Sequence, residues 1–185
     1  MKRVFAAIKL HPSEIFMQVY NSIKIACKYD KIKWVEPLNI HITLKFFGET
    51  EEDKIEDINS VLSDISFHHS PFILKLSDVG IFGSSYKPRV IWFGIDENKK
   101  LQNLATEIIG GVEKTGFLKD RQNFVPHLTI GRIKFIDNKR KFQDVINRYK
   151  SVEIQQENID KFFLIESILK PAGPEYKILK TFTLK

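Results

Sequence analysis

Along this chain the apolar positions switch between the two-residue period of a strand and the 3.6-residue period of a helix. Residues 4–8 form an apolar run and read as a short buried strand. Over 13–28, Ile15, Val19, Ile23 and Ala26 make a helical stripe. A strand is predicted over 40–47. A helix follows over 51–65, carried by Ile55, Ile58, Val61, Leu62 and Ile65. The acidic stretch 49–57 marks its start, with Thr50 as the expected N-cap and Asp53 three residues on. Two strands, 72–82 and 90–95, flank the turn-rich segment GSSYKP. Leu101, Leu104, Ala105, Ile108, Ile109 and Val112 give the clearest helix, with Gly116 placed to cap it. A strand is expected over 127–133 and a basic helix over 139–150, with Phe142, Val145, Ile146 and Tyr149 on one face. Closing strands are expected over 159–169 and 175–184.

These elements recur at a fixed offset. Adding 86 carries Val4 to Val90, Ile15 to Leu101, Ile23 to Ile109, His41 to His127 and Thr43 to Thr129. Another 86 carries Val90 to Tyr176, in the last strand. The rhythm predicts a single α+β domain over 1–185 with approximate half-repeats 4–85 and 90–171. Its two lobes are each a small sheet backed by two helices, and the strand 175–184 completes one of them. A pseudo-twofold between the lobes would set equivalent strands across a shared cleft.

Composition narrows the class. The chain has 185 residues, 43% hydrophobic and 28% charged, which excludes wholesale disorder. No apolar run approaches the length of a membrane span. The N-terminal segment reaches Lys9 and His11 too soon for a signal peptide. The single cysteine, Cys27, cannot form an internal disulfide, so a cytoplasmic protein is expected. A net charge of +6 favours a phosphate or nucleic-acid partner without requiring one. Nothing demands more than a monomer.

Two tetrapeptides carry the chemistry: His41-Ile42-Thr43-Leu44 and His127-Leu128-Thr129-Ile130. In a strand each His shares a face with its Thr, while the aliphatic residues face the core. One such motif is an ordinary half-buried histidine beside a threonine. Two at equivalent places in two half-repeats, among only five histidines, point to function. Imidazole titrates near neutrality, so one ring can be neutral and the other protonated. That pair suits metal-free general acid–base cleavage of a phosphoester, with threonine hydroxyls donating to phosphate oxygens. Arg132 is the candidate for stabilising developing charge. Simple alternation puts it on the face opposite His127, so a bulge near Gly131 is needed to turn it inward.

The chain resembles the two-histidine (2H) phosphoesterases, and among them the RNA 2′,3′-cyclic phosphodiesterases, also called 2′-5′ RNA ligases. The resemblance is carried by WVEPLNI running into HITLKFFGET and by NFVP running into HLTIGR. RVFAAIKL, VIWFG and SILKPAGPEYKIL extend it over nearly the whole chain. It implies a bilobal fold of two antiparallel sheets, backed by helices around a central cleft. It implies hydrolysis of an RNA terminal 2′,3′-cyclic phosphate to a 2′-phosphate without a cofactor, and also reversible 2′-5′ ligation. The partner is then RNA with such an end, or a small cyclic nucleotide. By this likeness His41 is the proton donor to the leaving 3′-oxygen and His127 the base that activates water, while Thr43, Thr129 and Arg132 contact phosphate.

Further residues fit an RNA substrate. Phe124 and Trp34 lie near the motifs and could stack on a base or pack in the core. Lys45 is expected on the face of His41 and Thr43. Arg121 and the basic helix, with Lys139, Arg140, Lys141 and Arg148, could follow an RNA backbone. His11, His68 and His69 read as loop residues. Rival readings are a metallohydrolase, which lacks a ligand cluster of recognisable spacing, a Cys27 nucleophile, which lacks a motif, and a non-catalytic RNA- or nucleotide-binding protein of the same fold.

Overall fold

A computed structural model describes residues 1–118, 124–171 and 173–185. The elements run β1 (Lys2–Lys9), α1 (Glu14–Ala26), β2 (Lys31–Trp34), a 3₁₀ turn (Pro37–Asn39), β3 (His41–Thr50), α2 (Glu52–Phe67), β4 (Phe72–Gly83), β5 (Pro88–Ile95), α3 (Lys99–Glu113), β6 (His127–Phe135), α4 (Lys139–Arg148), β7 (Glu153–Ile159), β8 (Lys161–Lys170) and β9 (Gly173–Thr183). Two antiparallel sheets result. One has the order β3-β1-β8-β9, the other β2-β6-β5-β4-β7. Each sheet contains strands from both halves of the chain.

Alternation sorts the two faces of each sheet. On β1, Val4, Ala6 and Ile8 enter the main core, while Phe5 and Ala7 join a small second cluster with Ile165 on the opposite face. Helices α2 and α3 pack on each other, with α2 against β9 and α3 against β3; α1 and α4 cover the other sheet at β7 and β4. Burying each large aliphatic side chain contributes about 1.5–3 kcal/mol, which is what fixes these faces.

The helices form where expected, with local corrections. The buried face of α1 is Phe16, Val19, Tyr20 and Ile23, closed by Cys27, while Ile15 is 54% exposed. The stripe therefore starts one residue later than Ile15. Thr50 does not cap α2. It is the buried last residue of β3, paired with Lys2, and its hydroxyl donates to the Gly48 carbonyl. Glu51 holds the N-cap position without a side-chain bond. Gly116, at φ +91°, turns the chain two residues past the α3 cap Lys114. Two strands were not foreseen. β2 is short, and β7 is mostly polar; Ile159 ends β7 and Asp160 alone separates it from β8. Among the described residues no helix is long and apolar enough to cross a membrane.

One glycine is required by close approach. A methyl on Gly80 would lie 2.2 Å from the Trp92 ring, which covers the Gly80 backbone from the adjacent strand. Trp92 in turn lies directly opposite Thr129. Gly80→Ala is therefore expected to destabilise the fold by about 1–3 kcal/mol, the usual cost of overpacking. A lower urea midpoint at unchanged slope is the check.

Candidate active site

The first half-site is built on β3. Ile42 and Leu44 are buried, which turns His41 and Thr43 to the other face. There the His41 ring lies 5.0 Å from Phe5 and edge-on to Tyr176 at 5.2 Å. Its Nδ1 is 2.7 Å from the Asn39 carbonyl. A carbonyl only accepts, so Nδ1 carries a proton and Nε2 is the nitrogen left for chemistry. Burial holds the His41 pKa below the ordinary imidazole value. The Asn39 bond opposes that shift, while the charges of Arg132 and Lys9 add to it. Arg3 sits over the Phe46 ring at 5.1 Å, and Phe46 lies parallel to Phe5, so the aromatic row continues along this face.

The second half-site, on β6, repeats the arrangement. Leu128 and Ile130 are fully buried, and His127 and Thr129 take the opposite face. The His127 Nδ1 is 2.8 Å from the Val125 carbonyl, two residues back as in His41. Phe82 packs edge-on to the ring at 4.7 Å. The β5–β6 register slips between Ile91 and Trp92: Trp92 opposes Thr129, Ile91 opposes Gly131 and Val90 opposes Arg132. Ile130 is the extra residue. Ile130 and Gly131 both fall on the core side, and Arg132 returns to the face of His127 and Thr129. Gly131 is needed at this bulge because a Cβ would sit 2.9 Å from the Ile32 side chain and 3.1 Å from Trp34. Arg132 is exposed, and its charge acts on both His41 and Tyr176. The two half-sites thus share one electrostatic environment, and β3 and β6 are in contact.

Several candidates lie elsewhere. Lys45 does not share the face of His41. The β1–β3 ladder also slips, between Ala6 and Ala7, so Lys45 opposes the core residue Ala6. It is 3% exposed and its Nζ donates to the Leu118 carbonyl. The basic helix α4 buries Phe142, Val145 and Ile146 in the main core with Leu128 and Ile130. It therefore covers the side of the sheet opposite His127. Trp34 faces the core and meets Tyr20 edge-on at 5.7 Å. Phe124 is half-buried against the same core. Arg121 lies outside the described residues. His11 pairs with Glu157, His68 is the C-cap of α2, and His69 pairs with Glu107. Phe5, Phe82 and Tyr176 were not singled out by the sequence. Phe5 lies in an all-apolar run whose alternation does not say which face is the core, and nothing local marks Phe82 or Tyr176.

Cys27 is buried, and burial together with nearby Asp30 pushes its thiol up to about 12, far from a thiolate nucleophile. Among the described residues no three His, Cys, Asp or Glu side chains gather as a metal-ligand set.

Comparison with known proteins gives consistent matches. A family model described as LigT like Phosphoesterase matches twice in succession, over 10–92 and 94–176. A protein of Methanocaldococcus jannaschii named RNA 2′,3′-cyclic phosphodiesterase is 42% identical over 83% of this chain and 85% of its own length. One of the same name from Aquifex aeolicus is 39% identical over 82% of this chain and 81% of its own. Among solved structures, TT0787 of Thermus thermophilus superposes with a TM-score of 0.81 at 27% identity, covering 98% of this chain and 97% of that one. Escherichia coli LigT complexed with 3′-AMP shares the fold, with a TM-score of 0.79 at 23% identity over 100% of this chain and 98% of its own.

Proposed function

The chain belongs to the LigT-like phosphoesterase family, and from that premise we propose that it hydrolyses the terminal 2′,3′-cyclic phosphate of RNA to a 2′-phosphomonoester, using His41 and His127 and no metal. In this reading Nε2 of His127 takes a proton from water as the water oxygen attacks phosphorus. The bond from phosphorus to O3′ breaks, and Nε2–H of His41 gives its proton to O3′. Thr43 and Thr129 donate hydrogen bonds to the non-bridging oxygens, and Arg132 stabilises the charge that builds on them. A 5′-hydroxyl in place of water would give the 2′-5′ linkage through the same groups.

The observation that carries this reading is the matched pair of Nδ1–carbonyl contacts, to Asn39 and to Val125. Both rings are held in the tautomer that offers Nε2, one on each sheet, and the charge of Arg132 on β6 acts on His41. The depressed pKa of His41 bears on its role as the acid. In the free protein at neutral pH the ring is mostly neutral. An arriving phosphate anion favours the protonated form and opposes the effect of burial. Substrate and proton then enter together.

The test is EDTA-treated protein incubated with a short RNA ending in a 2′,3′-cyclic phosphate. A 2′-phosphate product is expected. No conversion, with RNA still bound, would leave the non-catalytic binding protein as the reading. Conversion only after a divalent ion is restored would sink the metal-free mechanism.

A further inference from the structure

The unforeseen strand β2 lies along the outer edge of the five-stranded sheet, paired with β6. Its register sets Lys33 directly opposite Arg132, and Lys31 opposite Phe135. Opposed residues of an antiparallel pair point to the same face, and so do residues two apart on one strand. Lys31 and Lys33 thus share the face of Arg132, Thr129 and His127, while Ile32 and Trp34 pack on the core behind. Both lysines are exposed, and Phe135 is 53% exposed beside Lys31.

Like charges directly opposite destabilise a ladder. Here Lys33 and Arg132 oppose each other, and among the described residues no carboxylate pairs with either. A run of phosphates along this edge, one at each cation, relieves that repulsion. Along β6 the order is His127, Thr129, Arg132, Phe135, so the Lys31–Phe135 row lies farther from the histidines than the Lys33–Arg132 row.

Resting on the function proposed above, we infer that the β2–β6 edge is a track for the RNA chain on the 5′ side of the cyclic phosphate. Lys33 takes the next phosphate and Lys31 the one after, with a base stacked on Phe135. The enzyme then favours oligonucleotides over mononucleotides, by charge and stacking and without base-edge contacts along the track. The competing account is that the lysines only guard an exposed edge strand against pairing with another chain.

The experiment compares wild type with the double variant Lys31→Gln, Lys33→Gln. Two substrates are used: a nucleoside 2′,3′-cyclic phosphate and a ten-nucleotide RNA with the same 3′ end. For wild type, KM is expected to be several-fold lower for the RNA. In the variant the RNA KM rises to near the mononucleotide value, with kcat and mononucleotide turnover kept. The salt slope of log kcat/KM for the RNA falls by about 0.7 for each lysine removed. Phe135→Ala raises the RNA KM without changing the slope. An unchanged RNA KM in the double variant, with or without new aggregation, overturns the track. If wild type opens neither substrate, the hydrolytic reading fails instead. Anisotropy of a labelled RNA ending in a 2′-phosphate then still decides the track by the same salt slope.

Discussion

His127→Ala is expected to lower kcat by about 10²–10⁴, the usual contribution of one positioned general acid or base. RNA binding should change only a few-fold. His41→Ala should do the same. The double variant should lose little more than the worse single one, because either deletion already breaks the concerted transfer. Single-turnover kinetics with an RNA ending in 2′,3′-cyclic phosphate reads all three. Retention of more than a tenth of the wild-type rate by either single variant would remove that histidine from the mechanism. Titration adds a test specific to His41. Burial holds its pKa below the ordinary value, so NMR titration of the His41 ring in the free protein should give a midpoint below about pH 6.5. With an RNA ending in a 2′-phosphate bound, the anion favours the imidazolium and that midpoint should move to higher pH. The same midpoint in both would show that the acid does not sense the substrate's charge.

Arg132→Ala is expected to cost about 10²–10³ in kcat, as when one donor to a developing oxyanion is removed. Arg132→Lys should recover only part of this, since an ammonium lacks the planar fork that matches two phosphate oxygens. The variant has a second signature. The Arg132 charge disfavours protonation of His41, so removing it should raise the His41 pKa. In Arg132→Ala the NMR titration midpoint of the His41 ring should shift upward. Loss of rate with no shift would place Arg132 too far from His41 to act on it.

The helices were legible because their apolar stripes repeat over two turns or more, and α3 is the best case. The two motifs were legible because strand parity alone decides which side chains leave the core, as Ile42, Leu44, Leu128 and Ile130 show. Where a ladder slips, parity misleads. At Ile130 the need for a bulge could be read, because Gly131 follows and Arg132 otherwise faced the wrong way. In β3 the slip beyond Thr43 carries no such mark, so simple alternation sets Lys45 on the wrong face. β2 was missed for its brevity and β7 for its polarity; a strand at a sheet edge needs few apolar residues to hold it. The position of α4 behind the sheet depended on which strand it covers, and no local pattern encodes that.

The single residue Asp160 passes the chain from one sheet to the other, just as β3 and β4 fall in different sheets on either side of α2. A fragment ending after β4 would own two adjacent strands of one sheet, β1 and β3, and two strands of the other, β2 and β4, that are not neighbours. It could finish neither. Expressed alone, such a half should stay unfolded or associate with a second copy by pairing its orphan strands. Supplied with the complementary half as a separate polypeptide, it should recover both sheets and the contact between β3 and β6.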